Sequence, residues 1–126
     1  MKRLQTLLSL FCALVGLHTF AQLAPSNSLT MYVGTYTEGG NSKGIYTYSF
    51  DRQQGTSALR GSTAAANPSF IALAPNGKHL YAVSEYNDGR QGAYSFEVGQ
   101  DKLPTQPIFQ PTQAGADPCH IIADSK

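Results

Sequence analysis

The chain repeats itself at an interval near 50 residues, and this limits what it can fold into more than any other feature. Tyr48-Ser49-Phe50-Asp51 returns 46 residues later as Tyr94-Ser95-Phe96-Glu97, and Asn67-Pro68-Ser69-Phe70-Ile71 returns 50 residues later as Asp117-Pro118-Cys119-His120-Ile121. Tyr32 and Tyr81 open a third matched pair, 49 residues apart. A fixed period of this length means that one supersecondary unit is copied along the chain, each copy burying its apolar face against the next.

The unit is built from strands. Tyr46, Tyr48 and Phe50 alternate with Ile45, Thr47 and Ser49, and Tyr94, Phe96 and Val98 repeat the pattern, which has the period of two expected of a strand. Pro75-Asn76-Gly77-Lys78 separates two apolar runs and has the chemistry of a tight hairpin, with proline fixing φ and glycine supplying a positive φ. No sustained helical spacing follows residue 21. Periods of about 40–50 residues made of short strands are the mark of propeller blades, so the expected fold is all-β, a β-propeller of four-stranded blades. One blade is predicted with strand A at 69–74, B at 79–84, C at 92–98 and D at 106–112. Strands at 30–36, 44–51 and 58–64 match B, C and D alone, so the first blade lacks an inner strand, which the far C-terminus often supplies in closed propellers. A third strand A is expected over 118–123.

The first residues point to export. Lys2 and Arg3 precede an apolar run from Leu7 to Leu17, followed by Thr19-Phe20-Ala21, the order of a secretory signal peptide. That run is far shorter than the roughly 20 residues needed to span a bilayer, so removal after Ala21 is expected, with Gln22 as the new N-terminus and a periplasmic or extracellular location. Cys12 lies inside the apolar core without the small residue a lipid-anchor site needs just before it. The resulting layout is a signal peptide over 1–21, a linker over 22–29 and a partial propeller over 30–126. Residues 22–126 keep seven of the nine Lys and Arg and all eight Asp and Glu, a net charge of −1. Such a balance offers no field for nucleic acid or an anionic membrane. Cys119 alone survives processing, so no disulfide forms within this stretch.

Tyr32-Val33-Gly34-Thr35-Tyr36-Thr37, Gly44-Ile45-Tyr46, Asn67-Pro68-Ser69, Pro75 to Val83 and Gly115-Ala116-Asp117-Pro118-Cys119-His120 together resemble the seven-bladed lactonase family. Several motifs in the right order over residues 30–126 carry the likeness. It implies a seven-bladed ring of which about two blades lie here, and an activity of the 6-phosphogluconolactonase type. The same fold family includes carboxymuconate cycloisomerases, so the likeness fixes architecture better than substrate. A phosphorylated sugar lactone belongs to cytoplasmic metabolism, whereas this chain carries an export pattern.

In a propeller the D-to-A and B-to-C loops share one rim, which brings Asn67, Pro118 and His120 near Tyr36, Glu38, Glu85, Asn87 and Arg90. His120 stands where the preceding repeat has Phe70. A titratable ring at a channel mouth suits a base that activates water for lactone opening, or a donor to the carbonyl oxyanion; a structural histidine bonding a backbone carbonyl is the alternative. Glu85 would orient that imidazole or act as a base itself, or else be a solvated loop carboxylate. Arg90 has the two-pronged geometry to hold a substrate carboxylate or phosphate, although loop arginines are usually solvated. Asn67, Tyr36 and Asn87 complete the candidate substrate contacts, Asn87 within a loop whose first reading is turn chemistry. Cys119 reads as a small buried residue rather than a nucleophile. No metal-ligand spacing and no phosphate loop is present, so no cofactor is expected.

Three functions follow: a hydrolase opening a sugar lactone outside the cytoplasm, an exported non-catalytic propeller binding a carbohydrate or protein partner, and a cycloisomerase-like enzyme. The enzyme readings require further His, Arg and Glu on the same rim in later blades, and the natural chain is expected to continue for about 250 residues past Lys126. Oligomeric state is not written in the sequence.

Overall fold

A computed structural model describes residues 27–125; the signal segment and most of the linker lie outside them. Among the described residues, seven strands form in two antiparallel sheets. The first contains β1 (Ser28–Val33), β2 (Gly44–Asp51) and β3 (Thr56–Ala64), in the order β1-β2-β3. The second contains β4 (Ile71–Leu73), β5 (His79–Ser84), β6 (Gly92–Val98) and β7 (Pro104–Pro111), in the order β4-β5-β6-β7. These are a three-stranded and a four-stranded blade, and among the described residues no inner strand completes the first, as the repeat predicts.

Strand limits follow hydrogen-bond partners. β1 starts at Ser28, two residues before the predicted start, because Ser28 pairs with Asp51 at the far end of β2. β4 is shorter than predicted, although the Val83 N–H still donates to the Phe70 carbonyl at 3.0 Å. The cause lies at Asn67, whose φ of 44° turns the chain just before the strand. The hairpin forms at the expected place: the Gly77 N–H donates to the Ala74 carbonyl at 2.8 Å, the Ala74 N–H to that of His79 at 2.9 Å, and Gly77 has φ of 68°. The third strand A over 118–123 does not form, because nothing among the described residues pairs with that segment to give it a ladder.

The blades meet face to face. Cross-strand partners share a sheet face, so Ile71, Ala82 and Tyr94 lie with Leu80 and Phe96 on the side of the second blade that covers the first. Ile45, fully buried, and Phe96, 1 % exposed, anchor this core with Leu80 and Ala82, and Tyr32, Ala65 and Val98 pack against it. Between the blades the Tyr32 hydroxyl donates to the Lys102 carbonyl at 2.8 Å, and the Thr63 hydroxyl to that of Pro104 at 2.8 Å. At the rim end, Gly34 is so close that a Cβ there would lie 2.0 Å from the Pro68 carbonyl oxygen. Only glycine fits that approach.

Asn67 ties the two blades at the rim. The side chain is 5 % exposed, and its Oδ1 accepts the N–H groups of Thr37 at 2.8 Å and Glu38 at 3.1 Å and the Thr37 hydroxyl at 3.2 Å. Its Nδ2 donates to the Glu85 carbonyl at 3.1 Å, and its own carbonyl accepts the N–H groups of Ser69 and Glu85. Asn67→Ala strands two backbone donors and puts a Cβ-bearing residue without a polar tip into a left-handed conformation, so in the complete protein it should cost about 2–4 kcal/mol. Asn67→Gly loses the same amide but tolerates the backbone, and should cost about 1 kcal/mol less. Equilibrium denaturation of both variants measures this; wild-type midpoints for both would mean that the amide holds nothing together.

Candidate functional site

Four loops converge on the rim: 34–43 after β1, 65–70 before β4, 85–91 after β5 and 112–120 after β7. Strand direction places them there, since each sheet is antiparallel and these are the connections at one end of it. Rigid sheets thus present mobile-in-sequence, fixed-in-space loops, the usual place for a site.

The closest gathering of reactive side chains centres on Glu85, partly buried at the end of β5. The Ser69 hydroxyl makes a very short hydrogen bond to Glu85 Oε2. The Tyr36 phenol, 58 % exposed, also bonds the Glu85 carboxylate. That bond raises the Tyr36 pKa above its ordinary 10.0; burial and the Glu85 charge add to the rise, and a bond to Ser69 partly offsets it. Tyr36 is therefore a neutral phenol throughout the physiological range, with its proton directed at Glu85. Cys119 lies near enough to the phenol to contribute to the same shift. It is exposed, contrary to the buried position expected for it, because no strand forms at 118–123 to bring a covering neighbour.

His120 is exposed on the same rim, with its ring against Phe70 at 4.7 Å between centroids and 51° between planes. The two residues that occupy matching places in successive repeats thus touch each other. Neither ring nitrogen of His120 bonds a backbone carbonyl, nor does Glu85 orient it, among the described residues.

Arg90 is held by acids. Its Nε donates to both Asp88 oxygens at 3.0 and 2.9 Å, its Nη2 donates to Glu38 Oε1 at 2.9 Å, and its Cζ stands 3.8 Å above the Tyr86 ring. The bonds to Asp88 first, and Glu38 second, raise the Arg90 pKa, while Arg90 holds the Asp88 carboxyl below its ordinary range. Asn87 donates to Asp117 Oδ2 at 3.4 Å, and the Asp117 N–H donates to the Tyr86 carbonyl at 2.9 Å. Asn67, as described above, spends its amide on neighbouring loops. The structure therefore gathers Tyr36, Ser69 and Glu85, leaves His120 exposed against Phe70, and ties Asn67, Asn87 and Arg90 to protein partners. Ser69 is the neighbour that sequence reading passes over, with its pairing to Cys119 across the repeat the signal that marks its place on the rim; the sequence places Glu38 on the rim but does not mark it as the partner of Arg90. Among the described residues no three His, Cys, Asp or Glu side chains could hold a metal ion.

The Tyr36 contact has a testable pH signature. Its folded-state pKa lies above the unfolded value, so the contact stabilises the fold fully below pH 10.0 and is lost as pH rises through the folded value. Glu85→Gln removes the leading cause of the rise. The Tyr36 titration, followed by NMR of tyrosine-labelled protein, should move to lower pH in that variant; an unmoved titration would show that Tyr36 does not sense Glu85.

Comparison with known proteins assigns the fold its family. Residues 30–126 match the family model described as lactonase, 7-bladed beta-propeller. A protein of Bacillus subtilis named 6-phosphogluconolactonase is 33 % identical over 98 residues, and one of the same name from Formosa agariphila is 30 % identical over 96. Each match covers 75 % of this chain and 27 % of the relative. Among solved structures, a Bacteroides fragilis protein provisionally named 6-phosphogluconolactonase is 35 % identical with a TM-score of 0.67, over 79 % of this chain and 28 % of that one. A Bacteroides uniformis protein of the same provisional name is 38 % identical with a TM-score of 0.65, over 75 % and 27 %. The chain spans about a quarter of the length of these relatives, and with its two blades, its shared rim and its match over residues 30–126 it belongs to the lactonase family of seven-bladed β-propellers.

Proposed function

We propose that these two blades are part of a lactone hydrolase that opens a sugar lactone at this rim, outside the cytoplasm. The observation that carries the reading is His120, an exposed imidazole tilted against Phe70 with both nitrogens unengaged by the described residues, in a chain of the lactonase family. Hydrolysis requires a water oxygen to form a bond to the lactone carbonyl carbon while the ring C–O bond breaks. An imidazole accepts the proton from water, and the ring oxygen takes up a proton as it leaves. His120 has the chemistry for the first transfer, and the relatives' shared name supports the reaction class.

His120→Phe tests the assignment in the complete protein. It restores the ring found at the matching place in the preceding repeat, so the contact with Phe70 and the melting temperature should persist. Loss of a general base should lower kcat by about 10²–10⁴. A variant that keeps its rate and loses stability would make His120 a packing residue, and absence of lactone hydrolysis in the wild type would favour a carbohydrate- or protein-binding propeller.

Export is supported by the Lys2-Arg3 charge and the apolar run that follows. Cell fractionation should find the protein outside the cytoplasm with Gln22 at its N-terminus; an intact Met1 on a cytoplasmic product would refute it.

A further inference from the structure

We infer that Ser69 is a positioning residue of this site, fixing the Glu85 carboxylate as the group that accepts a hydroxyl hydrogen bond from the bound lactone. The inference rests on the lactonase reading and adds to it a substrate contact and the residue that aims it.

The turn at Asn67 is the first ground. The Asn67 carbonyl accepts the Ser69 N–H at 2.8 Å and the Glu85 N–H at 3.1 Å, and Asn67 Nδ2 donates to the Glu85 carbonyl at 3.1 Å. Ser69 and Glu85, 16 residues apart in the chain, thus have their backbones pinned to one buried residue. The Ser69 hydroxyl then donates to Glu85 Oε2 in a very short bond. Asn67 already joins the two segments through the main chain, so the side-chain bond is not needed to hold them together. What it adds is a fixed direction for a long, rotamer-rich side chain, whose ordering otherwise costs entropy when a ligand binds.

The second ground is what the carboxylate keeps open. An ionised carboxylate has about four acceptor sites, and Ser69 and the Tyr36 phenol take two of them. Glu85 is only partly buried, so the others are within reach of a ligand. A sugar lactone carries several hydroxyl donors, for which a carboxylate is a strong, charge-assisted acceptor. The next residue after Ser69 is Phe70, against which the His120 ring lies at 4.7 Å. One turn therefore governs both the aim of the carboxylate and the seat of the imidazole that the lactonase reading assigns to water.

The test measures steady-state kinetics of the complete protein on glucono-1,5-lactone and on its 6-phosphate, following whichever turns over faster. Glu85→Gln should raise KM by about tenfold or more. Ser69→Ala should raise KM by about tenfold with kcat changed by less than about twofold, because the contact it aims is one of binding. Ser69→Thr, which keeps the hydroxyl, should restore KM to within about threefold of wild type. In the Glu85→Gln background, Ser69→Ala should cost less than about threefold, since no carboxylate is left to aim. Independent, additive effects of the two substitutions would overturn the inference and leave the lactonase reading intact. So would a Ser69→Ala protein that keeps the wild-type KM, or one whose only change is a lower melting temperature. Hydrolysis of neither lactone by the wild type would overturn the lactonase reading itself, and this inference with it.

Discussion

Asn67 is the point on which the rim depends. Its buried amide accepts two backbone N–H groups from the loop after β1 and donates to the loop after β5, so one side chain sets the spacing of two blades. A buried amide left without these partners would carry the full cost of desolvation, and the same groups satisfied internally give the loops a single arrangement. The left-handed φ of 44° at Asn67 is part of the device, because it turns the amide back across the rim. Asp117, with φ of 48°, takes the same conformation one repeat later and reaches the next loop through Asn87 and Tyr86.

What Asn67 fixes at the rim, apolar packing fixes below it. Ile45 from one sheet and Leu80, Ala82 and Phe96 from the other close the space between blades, and Gly34 lets the chains approach to a distance that no other residue permits. Loop positions therefore inherit the rigidity of the sheets. Ser69 and Glu85 meet because Asn67 holds the segment before β4 against the end of β5, and Tyr36 joins them because Thr37 and Glu38 hang from the same amide.

Polar groups on the rim divide into those spent on the protein and those left to solvent. Arg90, Asp88 and Glu38 form an exposed network whose worth in stability is small, as for surface ion pairs generally. Its consequence is chemical: a cation that could attract an anionic ligand is neutralised in place. Tyr36, Phe70 and His120 keep open faces on these two blades.

Sequence alone determined the blade. The repeat near 50 residues, the alternation at Tyr46 to Phe50 and the Pro75 to Lys78 hairpin set strand order and the limits of β2, β5 and β6, because these depend on period and local turn chemistry, while the other strands shift by one to three residues and the strand expected at 118–123 does not form. It also placed Tyr36, Glu85, Asn87, Arg90, Asn67 and His120 on one rim, since loop order in a propeller follows from strand order. It did not reveal who bonds whom. That Arg90 is consumed by Glu38, 52 residues away, that Glu85 is gripped by Ser69 and Tyr36 instead of facing His120, and that Asn67 is a brace depend on distances between segments remote in sequence. Those distances are set by how two sheets pack, and the exposure of Cys119 and the missing strand at 118–123 show the same rule: a strand or a buried thiol exists only where tertiary neighbours complete it.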